Sequence, residues 1–193
     1  MTISRNSLMT LEAYAKERKA IRERVIEHKK YRCVRLGNHL TLLFEDELTI
    51  RYQIQEMLHI EKIFDEGGIQ AELDAYLPLV PDGTNLKATM QIEYENEIER
   101  CAALRRLIGI EDQMFLQVEG ELPVCAIADE DLERENQEKT SAVHFLRFEL
   151  SQQMRDRLRE GAHMFMGCDH ANYRWPLQQI ELRVLASLLD DLQ

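Results

Sequence analysis

The run Ala142-Val143-His144-Phe145-Leu146-Arg147-Phe148-Glu149-Leu150 alternates strictly, with His144 in phase with Ala142, Leu146, Phe148 and Leu150. A strand there turns the imidazole toward the core, where a neutral ring needs a hydrogen bond on at least one nitrogen. Such a residue is suited to three tasks: a satisfied core histidine, a metal ligand, or an acid/base group. Asp169-His170 follows a second strand pattern and precedes the turn-like Ala171-Asn172-Tyr173. Strand-end loops often carry functional groups, although an aspartate at this place also serves turn chemistry. A mononuclear centre could draw on His59, His144 or His170, of which His144 and His170 are the candidate ligands, with iron or haem as the cofactors it would take.

Three further groups place polar residues beside apolar stripes. Arg51, Tyr52, Gln53 and Glu56 border the apolar side of a helix pattern. Asn85, Lys87 and Thr89 share the polar face of a strand, and Arg147 and Glu149 share another. Buried polar groups are costly without partners, so these clusters imply either internal hydrogen-bond networks or a pocket. The candidate ligand-binding set is Arg51, Tyr52, Glu56, Asn85, Lys87, His144, Arg147, Asp169 and His170, and the expectation is that its members converge. Lys87, Arg51 and Arg147 would suit a small anion.

Glu56-x-x-His59 and Glu160-x-x-His163 match the spacing by which one helical face offers two ligands in di-iron bundles. That site needs four long helices, and His163 lies beyond the helix stop at Gly161, so the match is weak. Ser7, Ser141, Ser151 and Ser187 lack a nucleophile-elbow setting, and no local pattern pairs a cysteine with a histidine. A serine or cysteine hydrolase is disfavoured, and the catalytic residues, if any, are not named by a motif.

The elements that must position these residues are legible from periodicity and punctuation. Thr10 caps an amphipathic helix over 10–29, and Gly37-Asn38 joins the strands Tyr31–Leu36 and His39–Phe44 in a hairpin. Asp46 caps a helix carrying Ile50, Ile54, Met57, Leu58 and Phe64, expected to run to about Glu66 and stop at Gly67-Gly68, although the Thr49–Tyr52 portion could equally continue the sheet. A short helical piece over Ile69–Leu77 and a Pro/Gly loop over 78–83 precede the strand Thr84–Tyr94. Asn96 caps a helix with Ile98, Cys101, Ala102, Leu104 and Ile108 inward. Gly120-Glu121 turns a second hairpin between Met114–Glu119 and Leu122–Ala128. The acidic stretch Asp129-Glu130-Asp131-Leu132-Glu133, continuing through Lys139, reads as solvated helix or loop. The strand Ser141–Leu150, a Ser151-capped helix, the strand Ala162–Cys168, and a final helix over Leu177–Leu192 begun by Pro176 complete the chain. The fold class is α+β: one domain of antiparallel sheet with β-hairpins, covered by several amphipathic helices.

At 193 residues the chain can bury about 70% of its unfolded surface without staples. A net charge of -11 disfavours a nucleic-acid partner. The basic run His28, Lys29, Lys30, Arg32, Arg35 reads as a solvated helix end whose cations complement the helix dipole. Cys33, Cys101, Cys125 and Cys168 are scattered, without a C-x-x-C pair, and read as small core residues. No leader pattern and no apolar run near the ~20 residues of a membrane span appear, so a cytoplasmic location with reduced thiols is expected.

Five runs carry a resemblance: 40–46 (LTLLFED), 51–57 (RYQIQEM), 81–89 (PDGTNLKAT), 126–134 (AIADEDLER) and 138–150 (EKTSAVHFLRFEL). Together they are similar to one bacterial domain-of-unknown-function family over nearly the whole chain. Members of that family tend to be encoded beside a rubrerythrin-like protein and an iron–sulfur oxidoreductase. The resemblance thus implies an electron-transfer or peroxide-handling context with those two partners, and assigns no catalytic residue. Its pattern has a basic residue where His59 stands and no histidine at the position of His163, which counts against both Glu-x-x-His pairs, whereas the strings around His144 and Asp169-His170 match. The functions to weigh are a cytoplasmic accessory protein of that redox system, a metal- or haem-dependent enzyme using His144 and His170, and a small-anion sensor.

Overall fold

The computed structural model describes residues 3–130, 134 and 138–193. Helix α1, Leu11–Lys29, starts where the Thr10 hydroxyl accepts from the Ala13 N–H at 3.2 Å. Strands β1 (Cys33–Leu36) and β2 (Leu40–Phe44) follow as the expected hairpin, with Gly37 at φ +70°. Asp46 caps α2, Glu47–Ile60, by accepting from Thr49 N–H at 2.8 Å. The remaining elements are α3 (Glu66–Tyr76), β3 (Asn85–Ile92), α4 (Glu97–Arg106), β4 (Met114–Val118), β5 (Val124–Cys125), β6 (Ile127–Ala128), β7 (Val143–Glu149), α5 (Gln152–Arg159), β8 (Met164–His170), β9 (Tyr173–Gln179) and α6 (Leu182–Leu189).

Two sheets, antiparallel throughout, run in the orders β1-β2-β3-β7-β6 and β5-β4-β8-β9. Their inner faces share one core: Phe44, Leu86, Met90 and Phe148 from the first, Met114, Leu116, Met164 and Met166 from the second. This bears out the α+β architecture with antiparallel hairpins under helices. The sheets also meet along both edges. On one side the chain passes directly from β5 to β6 through buried Ala126, so a single extended segment serves both sheets. On the other, Tyr173 Oη donates to Leu36 O at 2.7 Å and Gln178 Nε2 to Arg35 O at 3.1 Å, tying edge strand β9 to edge strand β1. A smaller apolar cluster, with Ile3, Ile50, Ile54, Leu58, Ile69 and Leu73, holds α2 and α3 against the N-terminal segment.

Several expectations are corrected. Helix α2 ends at Ile60, not near Glu66: Lys62 takes φ +56° and Ile63 N–H donates to Leu58 O at 3.0 Å, the reverse turn that usually recruits glycine. Gly67 and Gly68 instead lie in the first turn of α3, capped by Asp65, and Phe64 is exposed. In α4 the buried residues are Ala103 and Leu104, with Leu107 just beyond, while Ile98 and Cys101 face outward. Pro176 does not start a helix; it sits in β9, an edge strand, where its missing N–H costs no ladder bond. His170 closes β8 rather than opening a loop. Of the four thiols only Cys168 is buried.

The largest correction concerns Arg32, placed by the sequence in a solvated basic patch but only 1% exposed. Its guanidinium donates to Phe44 O (2.9 Å), Glu45 O (3.1 Å) and Ser187 O (3.1 Å), and pairs with Asp191 and, at 3.5 Å, Asp46. This one side chain fastens the first hairpin, the start of α2 and the end of α6 together. No helix among the described residues is long and apolar enough to cross a membrane. The expectation for the acidic stretch falls largely on residues outside those described.

Candidate functional site

Strand β7 turns His144 to the inner face, as its phase requires, and buries it completely. Across the ladder, β6 pairs Ala128 with Leu146, which brings the next residue, Asp129, against β7. Asp129 N–H donates to Phe145 O and Phe145 N–H donates back to Asp129 Oδ1, both at 2.9 Å. Asp129 adopts φ +47°, a conformation an L-residue accepts only when its surroundings fix it. The result aims Asp129 Oδ2 at His144 Nδ1, 2.6 Å away. A carboxylate only accepts, so Nδ1 carries the proton.

The other ring nitrogen meets a second group of oxygens. Thr140 Oγ1 lies 2.9 Å and Ser141 O 3.1 Å from His144 Nε2, and Glu111 Oε2 lies 3.7 Å away. Glu111 comes from the short 3-10 turn Glu111–Gln113 ahead of β4 and is 5% exposed; Thr140 is 1% exposed. Nε2 thus faces a hydroxyl, a carbonyl and a carboxylate, and the Thr140 hydroxyl donates to Glu111 Oε2 at 3.5 Å. Arg134 pairs with Asp129 Oδ1 at 3.2 Å and lies over the Phe145 ring, so the Asp129 carboxylate is compensated.

Glu111, Asp129 and His144 are the one group of three or more such side chains, among the described residues, whose donor atoms lie close enough to hold a metal ion, all within 4.8 Å. Two ligands each about 2.1 Å from a tetrahedral ion stand about 3.4 Å apart, close to the Nε2–Glu111 separation. Asp129 on Nδ1 then supplies the carboxylate–histidine support that orients metal-bound imidazoles. One imidazole with carboxylate and hydroxyl oxygens suits Fe(II), Mn(II) or Zn(II). Haem does not fit, because an enclosed ring with both nitrogens engaged offers no open face to a macrocycle.

The other sequence candidates do not converge on this cluster. His170 donates or accepts elsewhere: Nε2 lies 3.1 Å from Ile108 O, and Nδ1 accepts from Asn172 N–H at 3.2 Å. Asp169 is exposed and pairs with Arg174 at 2.8 Å. Glu56 receives Arg18 in a fork at 2.8 Å on both oxygens and Tyr14 Oη at 2.5 Å; Arg18 and Tyr14 hold its carboxyl down to about 2. His59 packs edge-on against the Tyr14 ring, and His163 bonds Gln179, so neither Glu-x-x-His pair forms a ligand pair. Arg51 donates to Ser7 O and pairs with Glu47. Lys29 lies over Tyr52, whose hydroxyl is pushed up by burial.

Asn85, Lys87 and Arg147 do come together, on the outer face of the first sheet, where Lys87 sits opposite Arg147 and Asn85 opposite Glu149. Each is already engaged: Asn85 with Asp82 and Glu149, Arg147 with Glu130 and Glu149, and Lys87 with Pro78 O (2.6 Å) and Val80 O (2.9 Å). Burial pulls the Lys87 ammonium below its usual range. Sequence reasoning missed Glu111, Asp129 and Thr140. No local spacing marks them, because only the β6–β7 pairing and the turn before β4 bring them to His144.

Fold and site together define an α+β protein of two edge-joined antiparallel sheets with a buried carboxylate–imidazole cluster beside β7. The chain belongs to the family DUF3501, described as a protein of unknown function, whose model matches residues 2–192. It is similar to a solved structure described as a novel protein of unknown function from Burkholderia pseudomallei K96243, at 67% identity with all of both chains covered and a TM-score of 0.96. No curated protein matches the chain.

Proposed function

We propose that this chain is a metal-binding accessory protein of an electron-transfer or peroxide-handling system, holding a first-row divalent ion between His144 Nε2 and Glu111. One observation carries the reading: a wholly buried imidazole fixed on one side by Asp129 and presenting its other nitrogen to a buried glutamate. Thr140 Oγ and Ser141 O stand where further oxygen ligands are needed. When bound, the ion would supply a fixed positive charge or, as iron or manganese, a one-electron centre. The residues themselves set the ring tautomer, exclude water and neutralise the second carboxylate through Arg134. The burial of His144, Thr140 and Glu111 favours an accessory role over turnover. The redox context and the two partners, a rubrerythrin-like protein and an iron–sulfur oxidoreductase, rest on the family resemblance.

Elemental analysis of protein purified without chelators tests the ion, and co-purification from native lysate tests the partners. The reading expects stoichiometric iron, manganese or zinc that is lost in His144→Gln. Metal-free protein that also takes up no added Fe(II), Mn(II) or Zn(II) would remove it.

A further inference from the structure

A second carboxylate is buried on the opposite side of the first sheet. Glu45, just past β2, is 8% exposed and accepts one hydrogen bond, from Thr89 Oγ1 to Oε1 at 2.6 Å. Among the described residues no cation lies within ion-pair distance of it, and the Thr89 hydroxyl is its one side-chain partner. Lys87 is held by the carbonyls of Pro78 and Val80, and Lys29, which lines the same cleft as Glu45, lies 5.9 Å from the Tyr52 ring centroid and makes no ion pair with Glu45. A buried carboxylate without a counter-charge is costly, and the second oxygen, to which no described side chain donates, keeps access to solvent.

Glu45 lines a cleft of about 230 Å³ between the outer sheet face and α2–α3, together with Gln53, Tyr76, Thr89, Gln91 and Phe145. At about 30 Å³ per water the space holds roughly eight, so it suits a compact organic molecule. We propose that this cleft binds a small primary amine, its ammonium on Glu45 and its apolar body against Tyr76 and Phe145. A metal ion is the poorer occupant, since Glu45 and Thr89 are joined there by no histidine, thiol or second carboxylate, and the one potential metal cluster among the described residues lies around His144. Ammonium recognition needs only the features present: one carboxylate, hydroxyl and amide oxygens, and aromatic faces that attract cations. This inference is independent of the metal reading.

The test is a titration of the full chain with phenethylamine, followed by backbone amide NMR, with 2-phenylethanol as the uncharged counterpart. Saturable shifts at Thr49, Thr89 and Gln91 are expected with the amine and not with the alcohol. Glu45→Gln should weaken amine binding at least about tenfold, equivalent to about 1.4 kcal/mol. Gln53→Trp, which fills the cleft from a half-exposed helix position and leaves Glu45 intact, should abolish binding and decides the matter if Glu45→Gln fails to fold. Equal binding of amine and alcohol, undiminished binding in either folded variant, or no saturable shift with the wild type would overturn the proposal.

Discussion

Asp129 Oδ2 lies 2.6 Å from His144 Nδ1, and the two residues are locked in that relation by reciprocal bonds between Asp129 and the Phe145 backbone. Asp129→Asn keeps a residue that tolerates positive φ and an acceptor for Phe145 N–H. It removes the charge facing the ring. The fold should persist while affinity for added Zn(II) falls about 10–100-fold, the usual cost of losing such an orienting carboxylate. Unchanged affinity by competition with a chromophoric chelator would show that Asp129 is only structural.

Arg32 is the most consequential residue outside the site. Arg32→Ala leaves Asp191 and Asp46 buried without their guanidinium and strips donors from three carbonyls. Urea unfolding should show a loss of about 3–5 kcal/mol. Arg32→Lys should recover less than half, because one ammonium cannot span Phe44, Glu45 and Ser187. A loss within about 0.5 kcal/mol for Arg32→Ala would contradict the bridging role.

Asp191 gives stability a definite pH dependence. Burial, outweighing the pull of Arg32, raises its carboxyl from 3.8 to about 6. Arg32 has one charge for two carboxylates, and Asp46 is held below its usual value despite burial by Arg32, Thr49 N–H and His28. The folded state thus holds the Asp191 proton more tightly than the unfolded chain. Its contribution is full below about pH 4 and is lost as pH rises through about 6, on the order of 2–3 kcal/mol. Chemical denaturation at pH 4 and pH 7 should show the wild type losing stability relative to Asp191→Asn over that interval. A constant difference between the two would refute the assignment.

Glu56 works in the opposite sense. Its carboxyl, held at about 2 by Arg18 and Tyr14, contributes stability above about pH 4.5 that fades as acid protonates it in the fold. Arg18 is partly solvated, so the contribution is discounted to about 1 kcal/mol. Tyr14→Phe should cost about 1 kcal/mol at pH 7 through the lost hydrogen bond. Glu56→Gln should flatten the acid limb of the stability curve between pH 4.5 and 2. An acid limb as steep as in wild type would show that the cluster does not carry it.

Much of the fold was written locally. The caps Thr10, Asp46, Asn96 and Ser151, the Gly37 turn and the alternation over β3 and β7 each depend on a few neighbouring residues, and each is realised. What local pattern could not carry was tertiary. Lys62 rather than a glycine takes the helix-ending conformation after α2, so no local residue type marks that stop. Arg32 reads as a surface cation until Asp191, far along the chain, closes on it. His144 was found from its phase, while its partners Asp129, Thr140 and Glu111 depend on which strand lies beside which. The expected convergence of Glu56, Lys87, His144 and His170 fails for the same reason: sheet order distributes them over separate faces, each with its own partners.

The most direct test of the central claim is the visible absorption of metal-stripped protein titrated with Co(II). Ligand-field bands should saturate at one equivalent, vanish in His144→Gln and weaken in Asp129→Asn and Glu111→Gln. A featureless spectrum, or bands indifferent to His144→Gln, would contradict the claim.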